Sequence, residues 1–131
     1  MARLWTALKK RPDFLAVRSG KRVQTSAFIV QIARRPSSEP GAENDDAFRI
    51  GFTVTKKIGN AVERNRIKRR LRSACDLLDL PDARIGCDCV IVARRTVLTL
   101  PFPDLIERLN ESMIAALSQR VAKHGGSRQK A

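Results

Sequence analysis

The chain contains no tyrosine, a single tryptophan (Trp5) and a single histidine (His124). One histidine near the C-terminus leaves a protein-based hydrolytic centre without the residue that most often serves as its acid or base. The three cysteines, Cys75, Cys87 and Cys89, include no C-x-x-C pair. An odd number without that spacing argues against a disulfide framework and a zinc site; the thiols read as small buried hydrophobes in a reducing compartment. No G-x-x-x-x-G-K-[ST] phosphate loop is present. Met1 to Lys10 lacks the apolar run of a signal peptide, and nothing nearby is long enough to span a bilayer, so the chain reads as cytoplasmic. Acids are scarce as well: 13 Asp and Glu stand against 26 Lys and Arg, a net charge of +13. That imbalance favours a polyanionic partner, with nucleic acid first and an anionic membrane surface second.

What is present suffices for one core. With 131 residues of which 43% are hydrophobic, a single domain over residues 1–131 is expected, with roughly two-thirds of the unfolded surface buried. Residues 1–7 and 123–131 read as flexible tails. Pro12 and Gly20 bracket a short helix. Gln24 to Arg34 reads as a strand, with Phe28, Val30 and Ile32 on one face and Ala27, Ile29 and Gln31 on the other. Arg35 to Asp46, with its prolines, serines and acids, reads as an exposed loop. Ala47 to Thr55 is a second strand, and the two are expected to pair as a long antiparallel hairpin. Asn60 opens a helix that Pro81 stops. Cys87 to Arg95 is apolar on both faces, as a central strand would be. Asp104 to Ala122 reads as a last helix, with Leu105, Leu109, Met113, Leu117 and Val121 along one side. The order α-β-β-α-β-α implies an α+β fold: a helix-covered, mostly antiparallel sheet with one parallel strand pair.

The densest information lies in Gly51 to Arg72. Between Lys56 and Arg72 stand eight Lys or Arg and one acid, Glu63. Asn60 and Glu63 have the spacing of a capping box. At 100° per residue, Ile67, Leu71, Ala74, Cys75 and Leu78 form one apolar stripe. Arg69 lies opposite its centre; Arg64, Lys68 and Arg72 run along one flank, Arg66 and Arg70 along the other. Like charges at i, i+4 each cost a few tenths of a kcal/mol. A helix that carries several such pairs is suited to an external counter-charge, and arginine in particular to bidentate phosphate contacts. No helix-turn-helix, zinc finger or heptad repeat is present, and a helix docked on a sheet enters a major groove poorly, so structured RNA suits it better than DNA.

Lys56-Lys57-Ile58-Gly59-Asn60-Ala61-Val62 followed by Arg64-Asn65-Arg66-Ile67-Lys68-Arg69 resembles the signature of the bacterial ribonuclease P protein family. Leu8-Lys9-Lys10-Arg11 with Asp13, Phe14 and Val17 is similar to the family's first helix, and Val90-Ile91-Val92-Ala93-Arg94 to its last strand. The resemblance implies a ribosomal-protein-like fold with a left-handed strand–helix–strand crossover. It implies the role of protein subunit in an endoribonuclease that removes the 5′ leader of precursor tRNA by hydrolysis. Catalysis and the Mg2+ ions would reside in the RNA subunit, so no catalytic or metal residue is expected in this chain. The protein would bind the leader and lower the magnesium requirement. Its partners would be that RNA subunit and the leader, with no membrane and no protein partner implied.

Carried over by position, Lys56, Lys57, Asn60, Arg64, Asn65, Arg66, Lys68, Arg69 and Arg72 would contact the RNA subunit. Phe14, Arg18, Phe28 and Gln31 would line a cleft for the leader. Phe14 has two readings, a stacking platform for a leader base or ordinary core packing. Arg18 stands where relatives often have a second aromatic, and Gln31 where a tyrosine is common, so the cleft would act more through charge and hydrogen bonds. Glu39, Glu43, Asp45 and Asp46 lie in the Pro/Ser-rich loop and read as solvated. A ribosomal-type RNA-binding protein would share this charge and fold; the 56–72 signature separates the two. A membrane-surface helix would carry bulky aromatics, and residues 60–80 hold no Phe, Trp or Tyr.

Overall fold

A computed structural model describes residues 4–35 and 47–126, with side chains through residue 118. The elements run β1 (Thr6–Ala7), α1 (Arg11–Val17), β2 (Lys21–Gln24), β3 (Phe28–Arg34), β4 (Arg49–Thr53), α2 (Ala61–Cys75), β5 (Cys87–Ala93) and α3 (Phe102–Gly126). Short 3-10 turns occupy Lys56–Ile58, Asp82–Arg84 and Arg95–Leu98. The five strands form one sheet in the order β1-β4-β5-β3-β2. β1–β4 and β4–β5 are parallel, whereas β2–β3 and β3–β5 are antiparallel. The architecture is α+β as the sequence implied, with two parallel pairs rather than one.

The expected hairpin of the strands around residues 24–34 and 47–55 does not form. β5 lies between them, antiparallel to β3 and parallel to β4. Its residues are buried on both faces, and a strand apolar on both sides is most stable at the sheet's centre. The hairpin that does form is shorter. Thr25 turns the chain between β2 and β3, so the strand expected from Gln24 starts only at Phe28: its Oγ1 accepts from the backbone N–H of Ala27 and Phe28, and its own N–H donates to Phe28 O at 2.8 Å. This is the turn-forming habit of a short hydroxyl side chain.

Strand parity divides the molecule into two sides. Phe28, Val30 and Ile32 of β3, Ile50 of β4 and Cys89 and Ile91 of β5 point into the main core. There they meet Ile67, Leu71 and Ala74 of α2 and Leu105, Leu109, Met113 and Leu117 of α3. Each fully buried Val, Leu, Ile, Phe or Met among them contributes about 1.5–3 kcal/mol. Val121 and the loop 36–46 lie outside the described side chains. On the opposite side Val90 packs with Leu8 and Val17, and Phe14, Ala33 and Val92 lean against them. Among the described residues only α1 covers that side, which leaves part of it open. Burial raises the thiol pKa of Cys75 and Cys89, and both remain neutral and free.

Residues 4–7 are not a free tail. Thr6 and Ala7 add a parallel strand to β4, their neighbours being tied by Thr6 N–H to Phe48 O and Leu8 N–H to Ile50 O, both at 2.9 Å. Trp5 is 2% exposed, meets Phe52 edge-on at 5.8 Å, and donates its indole N–H to Asp76 Oδ1 at 3.0 Å. Asp76 caps α2, so the indole ties that helix's C-terminal end to the sheet edge. Helix α3 likewise continues past Ala122 to Gly126; residues 1–3 and 127–131 lie outside the described residues. Trp5→Ala is expected to lower stability by about 3–5 kcal/mol, as for truncation of a buried aromatic. Urea unfolding of the two proteins measures it, and an unchanged midpoint would contradict the assigned role.

Candidate nucleic-acid interface

The basic helix α2 is held at its start by its one acid. The Asn60 side chain accepts from Glu63 N–H at 2.8 Å, and Glu63 Oε1 accepts from Asn60 N–H at 3.1 Å, closing the capping box. Glu63 also takes both arms of Arg95, Nη2 at 2.6 Å and Nη1 at 3.1 Å, while Arg95 Nη1 donates to Ile58 O at 2.8 Å. Gly59 sits under this cluster; a Cβ there would run into the Glu63 carboxylate and approach Arg95 Nη1 to 2.8 Å. The Arg95 hydrogen bonds, with the Asn60 N–H, lower the Glu63 pKa to about 2. The acid is thereby committed to Arg95 and the helix cap at the surface and leaves the outer cations of α2 uncompensated.

The other charges divide into anchored and outward groups. Lys56 and Lys57 are exposed on the turn before α2, and Asn65, Arg66, Arg69 and Arg72 are exposed on the helix. Lys68 is half-buried. Arg64 is also half-buried and donates to Gly59 O at 2.7 Å, so it helps fix the turn as well as facing the surface. Asn60, expected among the RNA contacts, spends its side chain on the cap. Arg70 turns away from the exposed rows: it donates to Leu100 O and lies 5.9 Å from the Phe102 ring. The nine expected positions thus fall on one continuous turn-and-helix surface, whose outward cations offer charge-assisted hydrogen bonds to phosphates.

The open side of the sheet forms a cleft of about 550 Å3 beneath α1. Phe14, Arg18 and Gln31 line it as expected, together with Lys9, Arg11 and Arg22. Gln31 lies opposite Val90 on one neighbouring strand and Arg22 on the other. An apolar floor, one neutral amide and several cations suit a single-stranded chain of bases and phosphates. Phe14 lines the cleft and also packs against the Leu8–Val17–Val90 cluster, the core contact of its second reading. Its ring lies over β4 at Gly51, where any Cβ would collide with it. Phe28 does not belong to the cleft. It is fully buried on the α2–α3 side, because residues 28 and 31 of one strand point to opposite faces.

Two features escaped sequence reasoning. Arg22 enters the cleft from β2, which lies almost wholly before the strand expected from Gln24. The second is an ion cluster that joins α1 to the sheet. Buried Asp88 accepts from Arg49 at 2.8 and 2.7 Å and from Arg35 at 2.5 Å, and Arg49 reaches Asp13 of α1 at 3.6 Å. The Asp88 hydrogen bonds raise the Arg49 pKa further. These charges link α1, β4 and β5.

The chain has relatives among known proteins. The ribonuclease P family model matches residues 5–117. A ribonuclease P protein component from Brucella suis is 42% identical over 123 residues, 93% of this chain and 85% of its own. That of Bartonella quintana is 45% identical over 103 residues, covering 79% and 77%. Among solved structures, the ribonuclease P protein of Thermotoga maritima is 25% identical with a TM-score of 0.62, over 83% of this chain and 96% of that one. A Staphylococcus aureus ribonuclease P protein mutant described as defective in mRNA degradation is 26% identical with a TM-score of 0.65, covering 84% and 86%.

The Glu63 cluster has a definite pH signature. A carboxylate whose folded pKa lies below its unfolded value stabilises the fold above the unfolded value and loses that contribution as pH falls through the folded one. The window here runs from 4.5 down to about 2. NMR titration should show Glu63 titrating near pH 2, and Arg95→Ala should move its midpoint up toward 4.5. A midpoint near 4.5 in the unaltered protein would remove the bridge from the account.

Proposed function

The chain belongs to the ribonuclease P protein family, and from that membership we propose how its two sides divide the labour. It is a protein component of ribonuclease P, a subunit of an endoribonuclease in tRNA processing that acts together with RNA. In our reading the turn and helix from Lys56 to Arg72 dock on the RNA subunit, and the cleft beneath α1 holds the 5′ leader of the precursor. The observation that carries this reading is the opposed placement of two cationic surfaces on one rigid sheet. A protein so built can bind the RNA subunit and the substrate at once without the two competing for the same side chains.

The chemistry assigned to this chain is binding and charge compensation. Arg66, Arg69 and Arg72 would neutralise phosphates of the RNA subunit. In the cleft, Lys9, Arg11, Arg18 and Arg22 would follow the leader backbone while Phe14 and Gln31 meet its bases. Binding energy drawn from the leader, which the mature product lacks, favours precursor over product. Hydrolysis of the scissile phosphate, and the magnesium ions that assist it, are assigned to the RNA subunit. Protein cations that offset phosphate repulsion would allow the assembled enzyme to work at lower magnesium. The described part of the chain contains no helix long and apolar enough to cross a membrane, and we assign its place of action to the cytoplasm, with its RNA partner.

The direct test is cleavage of a precursor tRNA by a bacterial ribonuclease P RNA at low magnesium, with and without this protein. Strong stimulation with the cut at the mature 5′ end is expected; tight RNA binding without stimulation would favour a ribosomal-type RNA-binding role. The division of sides has its own signature. Arg18→Ala should weaken the holoenzyme's preference for precursor over mature tRNA by about tenfold, within the range of one nucleotide contact. Its affinity for the RNA subunit should not change. Loss of RNA-subunit affinity instead would place the cleft on the wrong partner.

A further inference from the structure

We propose that the corner where α2 meets the start of α3 binds a single unpaired nucleotide of the RNA on which α2 docks. This deepens the docking reading above and rests on it. The corner holds a groove of about 600 Å3, lined by Arg66, Arg69, Arg70 and Ser73 of α2 with Leu98 and Phe102. It lies on the opposite side of the sheet from the leader cleft and shares no residue with it.

The groove has the composition a nucleotide requires. Leu98 and the half-exposed Phe102 supply an apolar, partly aromatic floor on which a base can stack. Arg66 and Arg69 are exposed at the rim, and among the described residues no acid pairs with either. They are placed to take the phosphates that flank the base. The Ser73 hydroxyl, also exposed, offers a donor and an acceptor to the base edge or sugar. Arg70 has a different part. Its guanidinium donates to Leu100 O and lies against the Phe102 ring, tying the start of α3 to α2 and setting the groove's inner wall. Its Nε is buried within that wall, so Arg70 acts here as a wall residue.

A double helix would meet the rim but not the floor. Paired bases are stacked within an A-form helix, and its phosphates would touch Arg66 and Arg69 while leaving Phe102 unoccupied. An unpaired nucleotide, turned out of its stack, reaches both. The chemistry therefore points to a bulged or looped nucleotide, with the flanking phosphates held by arginines that the docking helix already presents.

The test uses the full-length protein and a bacterial ribonuclease P RNA. Ser73→Asp, which puts an anion beside the rim, should weaken RNA binding about tenfold, and so should Phe102→Leu, which keeps an apolar floor but removes the ring. Phe102→Tyr should restore affinity, and melting temperatures should confirm that all three variants fold. A benzophenone side chain at position 73 should crosslink to one unpaired nucleotide. Normal affinity in Ser73→Asp and Phe102→Leu, while Arg72→Ala on the other flank weakens binding, would overturn the nucleotide site and leave helix docking intact. If all of these variants bind normally, both readings fall. Crosslinks confined to paired positions, or absent while the same group at position 65 reacts, would also overturn the site.

Discussion

Everything in this molecule depends on the two-sided burial of the central strand β5. Its odd-numbered residues Cys87, Cys89, Ile91 and Ala93 face the core under α2 and α3, and its even-numbered Val90 and Val92 face α1. A strand that is apolar on both sides must be covered on both sides. The two coverings are unequal: two long helices close one side, whereas seven residues of α1 cover only part of the other. Among the described residues, the part left uncovered is the cleft. The parity that fills the core therefore also creates the second binding surface and keeps it apart from the first.

Electrostatics follows the same economy. Two acids are committed to arginines that brace the scaffold: Asp88 with Arg35 and Arg49 across β4 and β5, Glu63 with Arg95 at the start of α2. Burying Asp88 would be costly if it stood alone; with two guanidiniums it becomes a joint between strands. Because these acids are engaged internally, the exposed arginines of α2 face outward without local neutralisation. The like-charge repulsion along the helix, small for each pair, is offset by the cap, the apolar stripe and the Trp5–Asp76 tie. The helix is thus held rigid independently of its partner, which lets it present cations in a fixed pattern rather than gather them on binding.

Much of this was legible in the sequence because the signals were local. The Asn60–Glu63 spacing, the stripe from Ile67 to Leu78 and the two-sided apolar run of β5 each have a periodic or short-range cause, and each reappears in the structure. Non-local features were harder to read. Sequence neighbours usually pair, so the strands flanking the 35–46 loop suggested a hairpin, yet the need to bury both faces of β5 placed it between them. A two-residue strand has no period, which left Trp5 looking like part of a tail. Phe28 was assigned to the cleft by resemblance, although the alternation Phe28–Val30–Ile32 had already set it opposite Gln31. Arg70 shares a row with Arg66, and nothing local reveals that its side chain turns toward Leu100.

The central claim is that helix α2, and not the cleft, forms the electrostatic contact with the RNA subunit. Its most direct test is the salt dependence of that binding. The log–log slope should be steep in the unaltered protein and should fall by about 0.7–0.9 for each phosphate contact removed when Arg66, Arg69 and Arg72 are replaced by Gln. Replacing Arg18 and Arg22 in the cleft should leave the slope unchanged. A slope that responds to the cleft substitutions and ignores those on α2 would contradict the account.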